Sequence, residues 1–242
     1  MNPTLPIFNE RDMLDKIARG YWQAKPTNVG MIDYSFRVFA RHLRSGSILE
    51  MGPAEGFMTR QLLPLATKLT IVEGAAKFCD DLRRNHPTAS VVHSTFEEFS
   101  PAERFDSIVL GHVLEHVVDP VGVLRRAKSW LNPGGRVLAA VPNSRSLHRQ
   151  AAVIMGLLRS EDDMSDADRH HGHRRVMNPE SFRHLFSQAG LSIEVFGGYW
   201  LKPLSNQQIE SSWTPEMFQA FMQLGERYPD IAAELYVVAR SS

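Results

Sequence analysis

Residues 47–56 read Ser-Ile-Leu-Glu-Met-Gly-Pro-Ala-Glu-Gly, an apolar run that breaks into a turn with glycines at 52 and 56. A short, continuously apolar run that ends in a turn is how a strand buried on both faces gives way to the next element. SILEM (47–51) reads as that strand and 57–65 as the helix behind it. The same rhythm recurs downstream. KLTIVE (68–73) reads as a strand before a helix over 76–86, and ASVVHS (89–94) and RFDSIVLG (104–111) read as strands. A helix over 120–131 stops at Asn132-Pro133-Gly134-Gly135, and RVLAAVP (136–142) follows as a fifth strand. Strands alternating with helices predict an α/β fold, a parallel sheet with helices on both faces.

Both flanks differ from this core. Residues 10–45 are amphipathic and helical in pattern, with Ile17, Tyr21 and Trp22 on one face and Phe36, Phe39, Ala40 and Leu43 on another. They read as an N-terminal helical cap over 1–45, leaving 46–242 as the main domain. Residues 144–177 are polar and rich in His, Arg and Asp, an insertion after the fifth strand that reads as a substrate lid. A helix over 179–190 has Asn178 as N-cap, Pro179 in its first turn and Gly190 at its end. LSIEVFGGYW (191–200) and ELYVVAR (234–240) complete seven strands, the last pair an antiparallel, hairpin-like edge, with a helix near 214–227 between them.

The 242 residues include 27 basic and 27 acidic side chains and are 43% hydrophobic. That supports a sizeable core and gives no electrostatic footprint for nucleic acid or an anionic membrane. The single cysteine, Cys79, excludes an internal disulfide and fits a reducing compartment. Neither a signal peptide nor a membrane-length apolar run is evident. The expectation is a cytoplasmic protein, monomer or homodimer, acting on a small molecule with no nucleic-acid or membrane partner.

In open α/β sheets the ligand sits beyond the carboxyl ends of the strands. There the first strand enters the Gly52–Gly56 turn, and the second ends at Glu73, whose carboxylate can accept both hydroxyls of a ribose. A dinucleotide loop needs G-x-G-x-x-G to receive a pyrophosphate. Ala54 holds the middle glycine's place, so the turn suits an adenosine with a compact tail. Residues 112–116, His-Val-Leu-Glu-His, match the H-x-x-E-H pattern of a zinc peptidase family. That chemistry requires a long helix, and Asp119-Pro120 interrupts one. No metal is expected.

ILEMGPAEG, Glu73, FDSIVLGHVLEHVVDP and LNPGGRVLAAVPN, in this order, resemble the class I S-adenosylmethionine-dependent methyltransferases, in particular the small-molecule subgroup similar to ubiquinone-biosynthesis methyltransferases. The resemblance covers residues 47–143, with 169–191 as a weaker continuation, and departs from the family at Pro53-Ala54. It implies a Rossmann-like sheet and S-adenosyl-L-methionine as cofactor. It also implies that Glu50, Gly52, Pro53, Ala54 and Gly56 surround the methionine moiety and that Glu73 binds the ribose. Gly74, Ala75, Thr95 and Phe96 would then border the adenine, and Gly111, His112 and His116 the methionine end.

Methyl transfer from a sulfonium is an in-line displacement that asks the protein for alignment, water exclusion and sometimes a base. His170, His171 and His173, in DRHHGHRR, are the candidate bases. Tyr21, Tyr34, Asn143, Arg174 and Tyr199 are candidate substrate residues, Arg174 as a grip on an acidic group; Trp200 and His148 stand beside them. The expected activity is methyl transfer to oxygen, or nitrogen, of a sugar, a secondary-metabolite intermediate or a quinone precursor. A non-catalytic nucleotide-binding relative is the alternative.

Overall fold

A computed structural model describes Leu14 and residues 25–241. Ile17, Tyr21, Trp22 and most of the expected first helix lie outside the described residues. The elements run α1 (Pro26–Ala40), β1 (Gly46–Met51), α2 (Thr59–Leu62), β2 (Ala66–Glu73), α3 (Ala76–Asn85), β3 (Ser90–His93), β4 (Phe105–Gly111), α4 (Pro120–Ser129) and β5 (Leu131–Pro142). They continue with α5 (Leu147–Ile154), α6 (Asp166–His170), α7 (Pro179–Gln188), β6 (Leu191–Tyr199), α8 (Asn206–Ser212), α9 (Pro215–Arg227) and β7 (Glu234–Ser241).

One seven-stranded sheet has the order β3-β2-β1-β4-β5-β7-β6. β1 through β5 pair in parallel, and β7 runs antiparallel to both neighbours. The expected antiparallel pair is present, but α8 and α9 separate its strands in sequence, so it is not a hairpin. The Asn132–Gly135 stop signal lies inside β5, where the pairing with β4 is irregular between Phe105 and Ser107.

Alternation along the strands divides the core. Leu49, Ile108 and Val137 face a layer with Leu124 of α4 and Phe182 and Phe186 of α7. Ile48, Val109 and Leu138 face the other layer, with Val38 and Phe39 of α1, Phe78 and Leu82 of α3 and Met222 of α9. With both faces covered, ligand access is left to the strand ends and the segments beyond them.

Candidate active site

β1 ends in a turn that needs left-handed backbone. Gly52, Ala54 and Gly56 have φ of 64°, 52° and 79°. Ala54 therefore adopts a conformation that L residues reach at a cost of roughly 1–2 kcal/mol. A Cβ on Gly52 would lie 3.2 Å from Phe96 Cζ and 3.2 Å from Val113 Cγ2, so the backbone there is open to a ligand only as glycine. Gly56 differs: its Cβ would meet Leu82 Cδ2 at 2.8 Å, which makes it a packing position behind the turn.

Glu73, at the end of β2, faces the same turn. Its Oε1 accepts Ala75 N–H at 2.8 Å and its Oε2 accepts Ala54 N–H at 3.2 Å. Burial pushes this carboxyl up, and the Ala75, Ala54 and Gly74 amides oppose that rise. The carboxylate thus ties the glycine turn to β2 and lines a cleft of about 130 Å³ with Leu14, Gly52, Gly74, Ala75, Thr95 and Phe96. Val113, His116, Val117 and His171 close its other side. An adjoining cavity of about 60 Å³ is lined by Glu50, Pro53, Ala54, Met58, Gly111 and His112, among others. Glu50 is buried, accepts Thr59 Oγ1–H at 2.6 Å, and is pushed up to about 8 by burial. Every expected cofactor residue except Gly56 lines one of these two spaces. Their chemistry fits an adenosyl group with a short charged tail: a buried carboxylate for a diol, apolar Phe96 and Phe78 for a base, and an open glycine backbone.

His112 stands where the spaces meet. It lines both of them and a third cavity of about 200 Å³ beyond β5 and β7. Its φ of 60° is unusual outside glycine. Nε2 lies 3.1 Å from both Ser35 Oγ and Tyr199 Oη, and Nδ1 lies 3.7 Å from Glu115 Oε1 and from Glu234 Oε2. Burial, with His173 adding to it, pushes His112 down to about 3. Burial also pushes His116 to about 3 and His148 to about 2. These imidazoles are uncharged at neutral pH. Glu115 and Glu234 are buried, which pushes the first up to about 7 and raises the second against the opposing charge of Lys202.

The third cavity gathers Asp168, His171 and His173 from the 144–177 segment, His148 and Arg149 from α5, Asn143 and Trp200 from strand ends, and Lys202 beyond them. His173 Nδ1 is 3.2 Å from Asp168 Oδ1. Burial alone would raise the Asp168 carboxyl, but donors from His173, Ser165 and Arg149 hold it well below the usual carboxylate range. His170 is exposed and lines only an outer cleft.

Three sequence expectations need correction. Arg174 does not reach any of these cavities: its Nε donates to His116 O at 2.7 Å and its N–H to Glu115 O at 2.8 Å. Arg175 likewise donates to Leu114, Val117 and Val118 carbonyls, so this pair caps the turn after β4. Tyr34 is buried and donates to Glu226 Oε1. Tyr199 is fully buried and supports His112 from behind, while its neighbour Trp200 lines the cavity. Asn143 does line it, though its amide donates to Asp230 O and Ala232 O as a turn residue does. Tyr21 lies outside the described residues.

The peptidase geometry is not assembled, since residues 111–119 form no helix and His112 Nε2 is engaged by Ser35 and Tyr199. Glu115, His116 and His173 do bring one potential ligand atom each within 4.8 Å of one another. Sequence reasoning missed Glu234, Lys202, Arg149 and Asn206, which reach the cavity from four separate segments with no shared motif.

Solved structures of similar fold include an N-methyltransferase, NodS, from Bradyrhizobium japonicum in complex with S-adenosyl-L-homocysteine, at 16% identity, covering 96% of this chain and 97% of that one with a TM-score of 0.60. Another is an S-adenosylmethionine-dependent methyltransferase from Mesorhizobium loti, at 15% identity, 86% and 99% coverage and a TM-score of 0.60. Among curated proteins, ubiquinone biosynthesis O-methyltransferase of Methylocella silvestris is 30% identical over 174 residues, 69% of this chain and 66% of that protein. The Xanthomonas euvesicatoria protein of the same name is 23% identical over 227 residues, 88% and 92% respectively. Residues 28–194 match the family model described as a methyltransferase domain. That span holds the glycine turn, Glu73 and the turn after β4, and the chain belongs to the methyltransferase-domain family, on the fold of the S-adenosylmethionine-dependent methyltransferases.

Proposed function

We propose that this enzyme transfers a methyl group from S-adenosylmethionine to an oxygen of a small-molecule acceptor. The observation that carries the reading is the position of His112, whose ring lines both the Glu73 cleft and the polar cavity beyond β5 and β7. When bound, the cofactor supplies a methyl carbon activated by a sulfonium. Glu73 would take the ribose hydroxyls, and the Gly52 backbone and buried Glu50 the amino-acid tail. Similarity to O-methyltransferases over most of the chain supports oxygen as the target atom.

The protein's remaining tasks are alignment and proton removal. The acceptor enters the cavity from the side opposite the glycine turn, so the two reactants approach across His112. Among the three candidate histidines, His173 fits the base best. Asp168 fixes its Nδ1 and leaves Nε2 to accept the hydroxyl proton, whereas His170 is exposed on the outer cleft. The bound cofactor would supply the methyl group to the acceptor oxygen, and the His173 imidazole would take the proton that this oxygen gives up. Incubation with methyl-labelled S-adenosylmethionine and a panel of hydroxylated metabolites tests the reading. Labelled product that falls about 10²–10⁴-fold in His173→Ala is expected; cofactor binding with no acceptor in a broad panel argues for a non-catalytic relative.

A further inference from the structure

Buried polar atoms in a folded protein are almost always satisfied by a partner. In the cavity beyond β5 and β7 they are not. Glu115 Oε2, His148 Nδ1, Trp200 Nε1, Asn206 Oδ1 and Glu234 Oε2 are each buried with no hydrogen-bond partner among the described residues. All five residues line this one cavity of about 200 Å³. They arrive from the turn after β4, from α5, from the end of β6, from α8 and from the start of β7, so no local turn or cap accounts for the coincidence. Each unsatisfied group costs roughly 1–3 kcal/mol of desolvation, a debt that a matching ligand removes.

The kinds of atom define that ligand. The two carboxyl oxygens, whose protonated forms burial favours, take either role, as does the histidine nitrogen with its tautomer; the amide oxygen accepts and the indole N–H donates. A molecule that fills the cavity must therefore present both hydrogen-bond donors and acceptors at several positions. Hydroxyl groups meet both demands. An aromatic acceptor with an apolar tail would leave most of these atoms unsatisfied.

We propose that the methyl acceptor is a compact polyhydroxylated molecule of the sugar or cyclitol class, held through the five atoms that the protein leaves unpaired. This rests on the reading that the cavity beside the cofactor cleft receives the acceptor. It also fits the approach: the cavity shares His148, Arg149, Lys202 and Asn206 with an outer cleft of about 1000 Å³, wide enough to carry the rest of a sugar conjugate.

The test uses the full chain saturated with S-adenosylhomocysteine, whose own affinity is measured first by calorimetry. Ligand-observed NMR then screens D-glucose, L-rhamnose, myo-inositol and UDP-glucose against 3,4-dihydroxybenzoate and a prenylated catechol. Binding of at least one polyol is expected, weakened about tenfold or more in Glu234→Gln and in Trp200→Phe. Both variants should keep the S-adenosylhomocysteine affinity of the parent, which shows that they fold. Failure of every polyol to bind, preference for the catechols, or polyol binding indifferent to both variants overturns the proposal. Failure to bind S-adenosylhomocysteine instead brings down the methyltransferase reading on which it stands.

Discussion

Gly52 and Glu50 show how single residues at one strand end shape the Glu73 cleft and the cavity adjoining it. At position 52 the backbone is left-handed and a Cβ would crowd Phe96 and Val113. Gly52→Ala is expected to lose about 1–2 kcal/mol of stability and at least tenfold in S-adenosylhomocysteine affinity, read by denaturant melts and calorimetry. Glu50 makes a pH-dependent contribution. Its carboxyl is pushed up by burial to about 8 from an ordinary value near 4.5. Stability linked to it is full below the ordinary value and is lost as pH rises towards 8. Glu50→Gln removes that loss, so the variant should gain on the parent by a few kcal/mol between pH 5 and pH 8.5 in the absence of cofactor. An unchanged difference between the two melts across that range would show that Glu50 titrates normally. Both residues were legible in the sequence, because strand, glycine turn and carboxylate lie within one local pattern. The left-handed backbone of His112 and Trp200 was not, since nothing in a histidine or tryptophan announces φ near 60°.

The segment after β5 is the element whose sequence said least and whose structure says most. Its residues 144–177 carry no long apolar period, and only two short helices form there. Polar anchoring replaces packing. Arg149 of α5 donates to Asp168 Oδ2 at 3.0 Å, to Glu161 O at 3.1 Å and to Asp163 O, which ties α5 to α6 across the intervening loop. Ser165 adds a capping box with Asp168. Sequence periodicity reports burial of apolar faces and is silent on such a network. Arg149→Met leaves Asp168 buried without its cation, a class of change that costs about 3–5 kcal/mol when the pair is inside the protein. Faster amide exchange over residues 157–171, with exchange in β1 and β4 unchanged, is the expected signature. Equal protection in parent and variant would show that the arginine does not hold the segment.

Across the whole molecule, β1, β2, β4, β5 and β7 were readable because strands buried on both faces are apolar over much of their length, while the edge strands β3 and β6 are only partly buried. What no local pattern shows is strand order. β7 inserts between β5 and β6, and that insertion sets Glu234 opposite Pro142 at the carboxyl end of β5. The cavity beyond β5 and β7 is thus a product of topology, assembled from residues more than a hundred positions apart, while the Glu73 cleft has its base in the local β1–β2 pattern and is closed by residues after β3 and β4. Calorimetric titration with S-adenosylhomocysteine addresses the Glu73 cleft directly. Binding by the parent protein with micromolar affinity, weakened about 10- to 100-fold by Glu73→Gln, is the predicted result. No heat of binding up to millimolar ligand, or an affinity that Glu73→Gln leaves untouched, would contradict it.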